Sequence, residues 1–181
     1  MKYALTFLLL ASCAKAPAAD EPVPAPPTIQ ERFDAAEQRV LADFLEGGWI
    51  VSRNTEGGPE HQGDSLIFTG IWLAAASCEA GDAAEKVMQD TIDRNGGALV
   101  RYDPLPAEYQ NGREISMDGA LGLYRGIAER ITRCPTSAEG WKYPLTLHKR
   151  FVEDHNGRLH GNSDAVLVPE FDYVLDLLVA R

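Results

Sequence analysis

The chain has 181 residues, 45% of them hydrophobic and 24% charged, which are the proportions of a globular protein and exclude both a disordered chain and an integral membrane bundle. That length suits one core with appendages rather than two full-sized domains. A formal net charge of −10, from 17 basic and 27 acidic residues, argues against nucleic acid as a partner, because phosphates demand a basic footprint.

The first residues, Met-Lys-Tyr-Ala-Leu-Thr-Phe-Leu-Leu-Leu-Ala-Ser-Cys, combine one early cation, a short apolar run and small residues, the layout of a secretion signal. The run from Tyr3 to Leu10 would span about 12 Å as a helix, far short of the roughly 30 Å hydrocarbon core, so it is too short to be a transmembrane anchor. Leu10-Ala11-Ser12-Cys13 resembles the lipobox of bacterial lipoproteins. That resemblance implies cleavage after residue 12, lipidation of Cys13, and attachment to a membrane of the bacterial envelope through several buried acyl chains. Ala14 after the cysteine, where inner-membrane retention favours Asp, implies the outer membrane. The alternative is an ordinary cleaved signal with a chance cysteine. Residues 14–27 hold five of the eleven prolines and almost no large apolar side chain. They read as an extended tether, about 14 residues that hold the domain up to roughly 40 Å from the bilayer. The expected organisation is therefore a signal over 1–12, a lipidated tether over 13–27 and a folded domain over 28–181.

Thr28-Ile29-Gln30-Glu31 is a capping-box sequence, and Ile29, Phe33, Ala36, Val40, Leu41 and Phe44 follow at helical spacing until Gly47-Gly48. Residues 65–78 form a second expected helix, apolar on nearly every face and so expected to be buried on all sides. A third, over 82–94, carries Ala84, Val87, Met88 and Ile92 on one stripe and Asp82, Glu85, Lys86, Gln89 and Asp90 on the face assigned to solvent. Asn95-Gly96-Gly97 should end it. Residues 98–113 read as a loop with a short strand at 99–102. A fourth helix follows Ser116 and ends at Cys134-Pro135, with Gly119, Gly122 and Gly126 permitting close backbone approach. Residues 137–147 are ambiguous, Asn156-Gly157 suggests a small β-hairpin near 151–160, and Pro169 opens a last helix.

Asp64, Asp118 and Asp164 each precede an apolar segment at intervals of about 50 residues, a period that fits one helical hairpin per unit. The expected fold is mainly α. Apolar inner helices alternating with amphipathic outer ones resemble the α/α-toroid of the six-hairpin glycosidases and related polysaccharide lyases. Five or six helices would supply an arc of hairpins where a full ring has about twelve. The resemblance implies a cleft at the ends of the inner helices, where His61, Asp64, Arg113, Asp118, His160 and Asp164 would gather.

Asp64 and Asp118 suit general acid and base on a glycosidic bond, or, more simply, caps at helix N-termini. Trp49 and Trp141, in glycine-flanked positions, are candidate sugar-stacking platforms, with His61 and Arg113 as further binding residues; Trp72 and Tyr124 sit on apolar stripes and read as core. His148, His155 and His160 match no zinc-ligand spacing and read as surface residues, so neither metal nor other cofactor is expected. Cys78 and Cys134 each end an inner helix. They either close a disulfide, in keeping with an oxidising compartment, or remain two buried thiols. The function expected from these features is binding or processing of glycan by a membrane-tethered lipoprotein. The alternative is a non-enzymatic scaffold that binds another envelope protein.

Overall fold

The computed structural model describes residues 25–53, 64–102, 115–159 and 169–180. It is mainly helical: α1 spans Ile29–Asp43, α2 Ser65–Ala75, α3 Cys78–Arg94, α4 Met117–Arg133, α5 Ser137–Asp154 and α6 Pro169–Val179. Two short strands, β1 (Leu45–Glu46) and β2 (Trp49–Ile50), pair antiparallel with Glu46 opposite Trp49.

The capping box at Thr28 forms as its sequence dictates: Glu31 N–H donates to Thr28 Oγ1 at 3.2 Å, and Thr28 N–H donates to the Glu31 carboxylate at 2.7 Å. That carboxylate is held below its ordinary pKa by those hydrogen bonds from Thr28, backbone first. Gly47 and Gly48 do not stop α1, which ends at Asp43. Their φ values of 56° and 89° make the two-residue turn between β1 and β2, a turn that needs left-handed backbone at both positions. The hairpin expected near 151–160 does not form among the described residues, where α5 runs on to Asp154, for the same reason read the other way. Asn156 (φ 55°) and Gly157 (φ 84°) terminate α5, with Gly157 N–H returning to the Val152 carbonyl at 2.8 Å. Left-handed residues serve a tight hairpin and a helix stop equally, so that sequence signal is degenerate. The stretch over 99–102 forms no strand, although Leu99 N–H donates to the Leu159 carbonyl at 3.0 Å.

The helices form two stacked hairpins, α2–α3 and α4–α5. Gly122 of α4 lies on Ile67, and Gly126 on Gly70. Further along, the Arg133 guanidinium donates to the Leu73, Ala74 and Ala76 carbonyls, so α2 and α4 run side by side in the same direction. The outer pair follows suit: Glu85 of α3 meets Ser137 of α5, Gln89 meets Gly140, and the turn at Gly97 meets Leu147. Between the layers lie Leu73, Leu123, Ile127, Trp141 and Leu145, all with essentially no exposure. Each such side chain contributes roughly 1.5–3 kcal/mol by leaving water. Helix α6 packs against α5 and α4 through Leu175 and Leu178.

Candidate functional site

The corner between α2 and α3 is tied to the end of α4 by three devices. Cys78 and Cys134 form a disulfide with Cα atoms 5.8 Å apart, which settles the choice left open by the sequence. Arg133 caps the C-terminus of α2 through the three carbonyls already named, offsetting the negative end of its dipole. Arg130, fully buried, donates to the Ser77 carbonyl at 2.9 Å, to Cys78 and Asp82, and through Nε to Glu85 at 2.7 Å. Ser137 Oγ adds a bond to Glu85 at 2.8 Å. Gly81 leaves room for the guanidinium, since a Cβ there would lie 2.6 Å from Arg130 Nη1. Glu85, assigned to the solvent face from sequence, is therefore buried, because Arg130 neutralises it. From the other side, Glu37 of α1 accepts from Ser77 N–H at 2.6 Å and Ser77 Oγ at 3.0 Å. An arginine between Ile127 and Ile131 on an apolar stripe was the available signal for this network.

A second buried polar group lies between the layers. His148 Nδ1–H donates to the Gly97 carbonyl at 2.6 Å, and Nε2 accepts from the Tyr124 hydroxyl at 2.6 Å. Burial lowers the His148 pKa to about 4, while the Gly97 bond pulls it the other way. His148 is thus a neutral core residue and not the surface residue expected from sequence.

The residues proposed for glycan chemistry are divided by the fold. Asp64 and Asp118 open two adjacent parallel helices and are both exposed at one end of the bundle. Neither makes a cap. Asp64 occupies the cap position of α2 without a side-chain bond, and α4 is capped by Ser116, whose Oγ accepts from Gly119 N–H at 3.2 Å. Trp49 and Trp141 are 1% and 0% exposed, so neither offers a ring face to a sugar; both fill the core. Trp72 and Tyr124 are buried as expected. Cys13, His61, Arg113, His160 and Asp164 lie outside the described residues. Among the described residues no cluster of three or more His, Cys, Asp or Glu is placed to hold a metal, and no helix is long and apolar enough to cross a membrane.

Among the described residues an apolar groove of about 420 Å³ lies between α1, β2 and α2. Val40 and Phe44 line one wall, and Phe68, Ile71, Trp72 and Ala75 the other. Phe68 and Ile71 remain 39% and 55% exposed, so α2 is not buried on all sides as its composition suggested. Among the described residues no helix covers its outer face, because α1 docks only through its C-terminal half and buries no residue fully. Ile29 and Phe33 extend that uncovered apolar surface along α1. At the rim, Arg53 donates through Nε to the Asp43 carbonyl at 3.1 Å and pairs with Glu46 at 3.1 Å. Nearby Tyr102 packs edge-on to Trp49, and burial, then the Glu46 carboxylate, raises its pKa. In the wall, Trp72 is 7% exposed and its Nε1–H has no hydrogen-bond partner among the described residues.

A smaller polar concavity of about 240 Å³ beside Asp82, Glu85 and Gln89 belongs to the Arg130 network. Compared with protein-family models, curated proteins and solved structures, the chain matches none.

Proposed function

We propose that this chain is a lipid-anchored protein of the bacterial envelope whose helical-hairpin domain is a binding module. The anchor rests on Leu10-Ala11-Ser12-Cys13 and the proline-rich tether behind it. The binding role rests on one observation: the apolar groove between α1 and α2, open among the described residues, in a domain whose buried Glu85, Arg130 and His148 are hydrogen-bonded within the fold. Glu85, Arg130 and His148 are used in packing. Growth with an alkyne-tagged fatty acid tests the anchor. The wild-type chain should take the tag and sediment with membranes, and Cys13→Ala should do neither; a tagged Cys13→Ala protein, or an untagged wild type, would overturn it.

A second reading, handling of glycan, is favoured by the placement of Asp64 and Asp118 at one exposed end of the bundle. Turnover of peptidoglycan or another glycan by the wild type, abolished by Asp64→Asn or Asp118→Asn, would establish it. No turnover by folded protein would dismiss it.

A further inference from the structure

We propose that the Cys78–Cys134 disulfide is a site of thiol–disulfide exchange, at which an external dithiol attacks Cys78 and Cys134 is the sulfur released. Neither the groove nor the lipid anchor enters into this. The two cysteines differ in exposure: Cys78, the first residue of α3, is exposed, whereas Cys134, at the end of α4, is 2% exposed. Exchange requires a thiolate to reach one sulfur of the bond, and exposed disulfides are the labile ones. A thiolate arriving from solution meets Cys78.

The corner also keeps its shape without the bond. Arg130 grips the Ser77 and Cys78 carbonyls, Arg133 grips the end of α2, and Glu37 holds Ser77 from the side of α1. Once reduced, the two sulfurs therefore stay within reach of one another, and the bond can re-form. The reduced state is provided for as well. The Arg133 carbonyl oxygen lies 3.8 Å from Cys78 Sγ, at the end of α4 where carbonyls lack intrahelical partners, so a Cys78 thiol has an acceptor without moving. In the first step one thiolate of the dithiol bonds to Cys78 Sγ, the S–S bond breaks, and its electron pair leaves on Cys134 Sγ, which takes up a proton. The second thiol of the dithiol, as thiolate, then attacks the dithiol sulfur of that mixed disulfide, closes the external disulfide and expels Cys78, which is protonated in turn. Two electrons and two protons pass from the dithiol to the protein, and an oxidised dithiol reverses both steps. With a monothiol in place of the dithiol, Cys134 attacks the mixed disulfide at Cys78 and restores the bond.

The test uses the full chain in mild detergent without denaturant, dithiothreitol as the dithiol and glutathione disulfide as the oxidant and trap, with adducts located by mass spectrometry of peptides. Dithiothreitol should reduce the bond in the folded protein faster than the chain unfolds, with the helical circular dichroism unchanged, and glutathione disulfide should then restore it. Cys134→Ser should take up glutathione at Cys78 at least about a hundredfold faster than Cys78→Ser takes it up at Cys134, and the two rates should converge in urea. Reduction no faster than global unfolding, loss of helix on reduction, or equal adduct rates in the two folded variants would each overturn the proposal and leave the bond a structural staple. The wild-type kinetics need neither variant, so they decide the matter if a variant does not fold.

Discussion

Gly126 of α4 meets Gly70 of α2 backbone to backbone: a Cβ on Gly126 would lie 2.2 Å from the Gly70 carbonyl oxygen. Neither helix can move aside, because Gly122 is pressed against Ile67 one turn earlier and Arg133 grips α2 beyond it. Gly126→Ala should therefore destabilise the domain by about 3 kcal/mol or more, the upper range for overpacking. Gly119, on the same helix, would place its Cβ in ordinary contact, 3.4 Å from Ser116 Oγ. Gly119→Ala should be neutral or stabilising, by up to about 1 kcal/mol from helix propensity. Urea denaturation of the two variants checks the contrast, and equal effects would show that the helices do not touch at Gly70.

Removing one partner of the Glu85–Arg130 pair strands a buried charge. Glu85→Ala should cost about 3–5 kcal/mol even though Arg130 keeps its carbonyl acceptors and Asp82. Glu85→Leu combined with Arg130→Met should recover a large part of that loss, since an apolar pair carries no desolvation penalty. A double-mutant cycle by denaturant titration reads the coupling directly.

The disulfide closes a sequence separation of 56 residues, worth about 4 kcal/mol on a loop-entropy account. Reduction, or Cys78→Ala with Cys134→Ala, should lower the denaturation midpoint without unfolding the corner, because Arg130 and Arg133 still hold it. Thiol alkylation followed by mass measurement shows whether the native protein is oxidised, and far-ultraviolet circular dichroism of the reduced form checks that the helices persist.

His148 makes stability depend on pH. Its folded pKa of about 4 lies below the ordinary value of 6.5, so between those limits the unfolded chain binds more protons and stability falls as the pH drops. The contribution is complete above about pH 6.5 and lost by about pH 4, on the order of 3 kcal/mol in all. Carboxylates titrate over part of this window, so the measurement is the difference between wild type and His148→Gln at each pH. That difference should shrink as the pH falls from 6.5 to 4, while a constant offset would rule out a neutral buried imidazole.

Much of the fold was legible because local chemistry and packing agreed. The capping box at Thr28 and the left-handed glycines after α3 needed no tertiary information, whereas the cysteines left a disulfide and two buried thiols both open until the helices were placed. The errors came where a residue's environment is set by a partner far along the chain. Glu85 looks solvent-facing until Arg130 arrives 45 positions later. Trp49 and Trp141 look like loop residues by their glycine neighbours, yet one lies in a strand over the core and the other within α5, a helix whose internal Pro144 obscured it. The groove was hidden by a sound rule misapplied: an apolar helix seeks burial, but nothing in the sequence of α2 says that a covering element is present.

The N-terminal ends of α2 and α4 allow a separation of capping from chemistry. Ser116 makes the cap of α4, so Ser116→Ala should cost about 1 kcal/mol. Asp118, exposed in the first turn, makes no cap bond, and Asp118→Asn should change stability only through the helix dipole, by well under that amount at moderate salt. Asp64→Asn should be equally mild, since Asp64 holds the cap position of α2 without bonding to it. Thermal melts of the three variants give this order directly. A large loss from either Asp variant would mean that its carboxylate is bonded within the fold, and would remove the reason to place glycan chemistry at that end.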